Sequence, residues 1–133
     1  MQIRGNNYGR FRIRQNKKTL LGHGQTWKVR SGIPGSYNPI PNGLYIVPKG
    51  SLMAGVAGHG VPHDPRYEQA PYSYRDRKGF SWFLWLGSGA FGVHPDGNVP
   101  GTRGCIGIVD DDTKPLFHKF KHLNSAPVTI QVK

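Results

Sequence analysis

Cys105 is the only cysteine in the chain, and it stands in the segment Gly101-Thr102-Arg103-Gly104-Cys105-Ile106-Gly107. A cysteine nucleophile needs a base to make thiolate, donors to hold an oxyanion, and access for its substrate. Gly104 lets the backbone turn sharply and lets a carbonyl approach closely. The backbone N–H groups of Arg103, Gly104 and Cys105 are candidate donors to one oxygen. His94 lies eleven positions before Cys105, at the end of a predicted strand, with a glycine-rich stretch between them. Folded back onto the thiol, a neutral imidazole would take its proton and give a thiolate–imidazolium pair. The chemistry so assembled is acyl transfer through a thioester. In isolation, a lone cysteine is more often a small buried hydrophobe, and a lone histidine a satisfied turn residue. The elements around the two residues therefore decide the case.

Those elements read as short strands between turns. Arg10-Phe11-Arg12-Ile13-Arg14 alternates polar and apolar residues, as a half-exposed strand does, and so does Gln25-Thr26-Trp27-Lys28-Val29-Arg30. Residues 31–42 are turn-rich, and Gly43-Leu44-Tyr45-Ile46-Val47 is a strand that Pro48 ends. Residues 49–79, with their many glycines and prolines, argue against regular structure and predict a long loop over a binding face. Ser81-Trp82-Phe83-Leu84-Trp85-Leu86 suits a strand buried on both faces, with Ala90-Phe91-Gly92-Val93-His94 as its hairpin partner. Cys105 to Val109 is a further apolar run. One of Asp110, Asp111 and Asp112 can cap a helix whose apolar face is Leu116, Phe117, Phe120 and Leu123, with Pro115 in its first turn and Asn124 at its end. Val128, Ile130 and Val132 alternate in a last strand. The sum is six to eight strands and one C-terminal helix: a β-rich chain, all-β or α+β.

The chain has 133 residues, which suits one compact domain over residues 1–133. Its formal net charge is +11, from 18 Lys and Arg against 7 Asp and Glu. A field of that sign attracts anionic partners such as nucleic acid, lipid headgroups or the bacterial wall; a solvated basic face is the plain alternative. One cysteine excludes an intramolecular disulfide. No stretch is long and apolar enough to suggest a transmembrane helix. The first residues lack the apolar core of a signal peptide, so the expectation is synthesis in the cytoplasm.

The motifs around His94 and Cys105 resemble the catalytic domain of the L,D-transpeptidases, the YkuD family. Its signature is a histidine, a short loop, and then Ser/Thr-x-Gly-Cys followed by an apolar or basic residue; His94 and Thr102-Arg103-Gly104-Cys105-Ile106 match it. Val29-Arg30-Ser31-Gly32 is similar to the family's Ser-Thr-Gly strand end, and Pro41-Asn42-Gly43-Leu44-Tyr45-Ile46 to its Thr-Pro-x-Gly-x-Phe/Tyr-x-Ile element. The resemblance covers roughly residues 25–110. It departs from the family at Arg103, where a histidine is usual, and at Pro95, whose carbonyl takes the place of a Gly or Ser carbonyl that orients the imidazole. The His-to-Cys loop is shorter than usual and looks closest to a compact branch among type VI secretion effectors and phage-encoded relatives.

The resemblance implies a β-sandwich or barrel with one C-terminal helix. It implies Cys105 as nucleophile and His94 as base, with Thr102, Arg103 and Gly104 forming the oxyanion and substrate-binding segment; the Arg103 side chain is a candidate to hold a substrate carboxylate. The implied substrate is the peptidoglycan stem peptide, cut between a meso-diaminopimelate L-centre and a terminal D-Ala. Water as acceptor gives L,D-carboxypeptidase chemistry, a second stem amine gives a crosslink, and a free D-amino acid gives exchange. No cofactor is implied. An antibacterial effector or phage protein, reaching the periplasm or wall by a secretion system or phage and opposed by an immunity protein, fits the absence of a visible export signal.

Two other readings compete. His59, His63 and Asp64 lie close together, and with His94 they could hold zinc in a wall peptidase. No helix places them on one face and no acidic base accompanies them, so solvent exposure in a loop is the better account. His118 and His122 share a helix surface, and His23 between two glycines reads as a turn residue. The second reading is a basic nucleic-acid-binding module, from the basic and aromatic residues interleaved over Tyr8 to Arg14 and Tyr67 to Lys78. No known nucleic-acid motif accompanies them, and nucleic acid is not the expected partner. Trp82, Trp85 and Tyr45 are expected to be structural.

Overall fold

The computed structural model of the chain describes residues 9–54, 74–89, 91–96, 104–123 and 128–133. Nine strands and one α-helix form among them. The strands are β1 (Arg10–Arg14), β2 (Thr19–Gly22), β3 (Gln25–Ser31), β4 (Gly43–Val47), β5 (Leu52–Ala54), β6 (Trp82–Trp85), β7 (Gly92–Pro95), β8 (Ile106–Ile108) and β9 (Val128–Val132); the helix α1 is Lys114–Leu123. All nine join one sheet in the order β4-β9-β1-β2-β3-β8-β7-β6-β5. Neighbours are antiparallel except β1 with β9 and β7 with β8.

Alternation sets which side of the sheet is buried. Phe11 and Ile13 turn inward from β1 while Arg10, Arg12 and Arg14 face out. Trp27 and Val29, Tyr45 and Val47, and Val128, Ile130 and Val132 follow the same rule on β3, β4 and β9. The inner side wraps α1, whose Leu116, Phe117, Phe120 and Leu123 are buried. The Phe120 ring lies 4.9 Å from Phe11 of β1 and 5.9 Å from Trp82 of β6, so one side chain joins the two halves of the sheet. The sheet curls into a half-barrel: a Cβ placed on Gly87, after β6, would stand 3.0 Å from the Ile46 carbonyl of β4.

Two sequence expectations need correction. Nine strands form rather than six to eight, because the short β2 and β5 carry too few residues to show a period. Residues 49–79 are not one irregular loop, since Leu52–Ala54 pairs with β6. The expected hairpin of β6 with the strand ending at His94 forms as β6–β7, and β8 runs parallel to β7. His23 is a turn residue, with φ 51° ahead of Gly24 at φ 74°, in the two-residue link between β2 and β3. No helix among the described residues is long and apolar enough to cross a membrane.

Candidate active site

His94 and Cys105 lie on the same face of the sheet, opposite the one that packs on α1. Parallel pairing sets Val93 against Ile106 and His94 against Gly107. One position earlier, Cys105 enters β8 beside Gly92, whose backbone hydrogen-bonds its sulfur. Gly92 and His94 are two apart on one strand and so point to the same face. The thiol and the imidazole are therefore diagonal neighbours across two adjacent strands. Both belong to one small cluster: Cys105 packs against Met53 and Phe83, and the Phe83 ring lies 6.2 Å from the imidazole at 17°.

The histidine tautomer follows from its neighbour. His94 Nδ1 lies 2.7 Å from the Pro95 carbonyl oxygen. A carbonyl only accepts, so Nδ1 carries the proton and Nε2 is left bare as a base. Burial pulls the imidazole down to about 4, against the upward pull of the Pro95 hydrogen bond. His94 is thus neutral at neutral pH. Burial also pushes the Cys105 thiol up, while the Gly92 backbone hydrogen bond opposes this. A bond that favours the anion is one donated by N–H. The resting pair is consequently neutral thiol and neutral imidazole, not the thiolate–imidazolium pair expected from the residue types. The difference comes from desolvation, which penalises both charges.

Three residues that sequence reasoning passed over complete the surroundings. The Tyr74 ring covers the imidazole, 3.9 Å between centroids at an interplanar angle of 11°. Two positions on, Asp76 is buried and anchors this segment to the start of α1. Its Oδ1 accepts from the backbone N–H of Lys78 and Phe80 at 2.9 and 3.0 Å. Its Oδ2 accepts from the Thr113 N–H and hydroxyl at 2.8 and 2.9 Å. Thr113 Oγ1 in turn accepts from Trp82 Nε1 at 2.7 Å. Asp96, two past His94 and on the same face, pairs with Arg30 Nε at 3.1 Å. Alternation from His94 was the available signal for Asp96; Tyr74 and Asp76 sit among glycines and prolines where no period exists.

Glycines make room for this arrangement. A Cβ on Gly92 would stand 2.2 Å from Phe83 Cζ, and one on Gly107 would stand 2.6 Å from Asp96 Cβ. Gly104 has φ 120°, and a Cβ there would stand 2.8 Å from Phe91 Cε1. The Gly104 carbonyl accepts from the Ser31 hydroxyl at 3.3 Å, and that hydroxyl accepts from the Ile40 N–H at 2.8 Å. Ser31 thus ties the end of β3 to the approach to Cys105.

Of the residues expected at the site, His94, Gly104 and Cys105 come together here. Thr102 and Arg103 lie outside the described residues, as do His59, His63 and Asp64 of the zinc reading. Among the described residues, no group of three or more His, Cys, Asp or Glu could hold a metal ion. Phe11, one aromatic of the first nucleic-acid pattern, is buried in the core rather than offered to bases, and Tyr8 lies outside the described residues. Trp82 and Tyr45 are buried, with the Tyr45 hydroxyl donating to the Pro41 carbonyl at 2.7 Å. Trp85 is half-buried and borders the cysteine cluster.

No protein-family model matches the chain, and no curated protein matches it in sequence. Among solved structures it is similar to L,D-transpeptidase 1 of Mycobacterium tuberculosis, with a TM-score of 0.56 and 15% identity, covering 95% of this chain and 59% of that one. It is also similar to an L,D-transpeptidase from Stackebrandtia nassauensis, with a TM-score of 0.47 and 18% identity, covering 93% of this chain and 54% of that one. The chain thus spans little more than half the length of either structure. The likeness to the mycobacterial structure is one of fold: this chain is a curled β-sheet wrapped on a single described helix, similar to the L,D-transpeptidase fold.

Proposed function

We propose that the chain is a peptidoglycan-modifying cysteine enzyme that acts on the stem peptide by L,D-carboxypeptidase or L,D-transpeptidase chemistry. The observation that carries this reading is the bare Nε2 of His94, set by the Pro95 carbonyl, on the same sheet face as the Cys105 thiol and diagonal to it. The similarity of fold to an L,D-transpeptidase structure and the motif around Cys105 support the choice of substrate.

In the proposed reaction Nε2 takes the thiol proton as Sγ attacks the carbonyl of the diaminopimelate L-centre. The tetrahedral intermediate collapses to a thioester. The C–N bond to D-Ala breaks, and the imidazolium returns the proton to the leaving amine. Water, a stem amine or a free D-amino acid then attacks the thioester, His94 again taking the proton, and the thiol is restored. The segment Thr102-Arg103-Gly104 would supply the oxyanion donors. Delivery of the protein to the wall as an effector or phage product, with an immunity protein as its antagonist, accompanies this proposal.

Mass spectrometry of purified peptidoglycan stems tests it. Incubation with the wild-type protein is expected to remove terminal D-Ala, form new crosslinks or exchange the terminal residue, according to the acceptor. The Cys105→Ala protein is expected to leave stems untouched. Equal activity of the two proteins would remove Cys105 from the mechanism.

A further inference from the structure

The outer face of the sheet carries a feature that the thiol chemistry does not use. Residues 1–54 contain no Asp or Glu. Arg10, Arg12 and Arg14 are exposed in alternate positions of β1, about 7 Å apart along the strand. The register sets Arg14 level with Thr19, and Thr19 level with the exposed Lys28. A broad groove lies over this row. It measures about 800 Å³ and is lined by Arg10, Arg12, Leu21, Leu44 and Gln131 among others. A second depression of about 710 Å³ continues it past Arg14 to Lys133. Among the described residues, no acidic residue lines either one.

This face and the candidate site are continuous. Arg30, two past Lys28 on β3, is level with Gly107, which is level with His94. Cross-strand partners share a face, so the arginine row and His94 lie on the same side of one sheet. From β1 to β8 is three strand spacings, on the order of 15 Å. Along that path Arg30 is paired with Asp96, whereas the row on β1 has no ion pair among the described residues.

We infer that the arginine row of β1 is a docking track for anionic peptidoglycan, taking carboxylates of neighbouring stem peptides while one stem reaches Cys105. This rests on the function proposed above. Guanidinium groups suit carboxylates because they form paired N–H···O bonds. Nucleic acid is the less fitting occupant. Its bases need exposed aromatic platforms, and the outward neighbours of the row are Leu44, Ile46, Thr129 and Gln131, while Phe11 is buried.

Cosedimentation with peptidoglycan sacculi stripped of secondary polymers tests the track. Cys105→Ala protein is used so that the stems persist, and it is compared with the same protein also carrying R10Q, R12Q and R14Q. The three changes are expected to weaken binding about tenfold. Binding by the arginine-bearing protein is expected to fall with added salt and on amidation of the sacculus carboxyl groups. Equal binding by both proteins, or undiminished binding to amidated sacculi, would overturn the inference. So would tighter binding to single-stranded DNA than to sacculi at the same salt concentration. Binding is read without turnover, so failure of the Cys105 enzyme to cleave stems counts against the proposed reaction and not against the track.

Discussion

At the scale of the residue, burial favours the neutral forms of both Cys105 and His94. Burial raises the thiol and lowers the imidazole to about 4, so in the proposed reaction proton transfer would accompany attack instead of preceding it. Alkylation of Cys105 by iodoacetamide is therefore expected to be slow at pH 7 and to rise steeply only above the ordinary thiol range. A rate plateau between about pH 5 and 8 would instead reveal a standing thiolate–imidazolium pair. His94 also links stability to pH. The unfolded histidine binds its proton at about 6.5, while the folded one resists down to about 4. Between those values the unfolded chain holds more protons, so stability falls as pH drops through that window and is unaffected above it. The loss by pH 4 is on the order of 3 kcal/mol. Urea unfolding of wild type and His94→Gln across this range is expected to show that slope in the wild type and its reduction in the variant.

At the scale of the element, one carboxylate ties the Tyr74–Phe80 segment to α1. Asp76 accepts from Lys78, Phe80 and twice from Thr113. It satisfies backbone donors that neither a turn nor the helix start can satisfy internally. Asp76→Ala leaves the buried Thr113 donors and the part-buried Lys78 and Phe80 N–H groups without this acceptor, and is expected to cost about 2–4 kcal/mol in chemical denaturation. Tyr74, two residues earlier, stacks on the imidazole, so the same variant is expected to lower stem cleavage at temperatures where it remains folded. A variant as stable and active as wild type would show that the anchor is not needed.

At the scale of the whole molecule, the half-barrel depends on what fills it. Phe120 is fully buried and touches aromatic rings from both halves of the sheet, Phe11 and Trp82. Phe120→Ala is expected to cost about 3–5 kcal/mol, measured by thermal or urea unfolding, with both halves lost in one transition. Truncation of Leu44, which is 61% exposed, is expected to change stability by less than about 0.5 kcal/mol. Equal losses at the two positions would mean that the inner face of the sheet is not the core.

Alternation was enough to read β1, β3 and β9, apolar runs bounded by turn residues to read β4 and β6, and helical spacing to read the buried stripe of α1, because each pattern is complete within its own segment. The residue types likewise suggested a chemistry: a sole cysteine after a glycine and one histidine near a strand end are parts that the proposed acyl transfer needs. The parallel pairing of β7 with β8, which places Cys105 diagonal to His94, was decided only by the closed sheet. So were the Tyr74 cover, the Asp76 anchor and the Arg30–Asp96 pair, since each joins residues far apart in the chain. Burial belongs to the same class. Whether a thiol and an imidazole are charged depends on the water excluded around them, and that is a property of the packed molecule rather than of any segment.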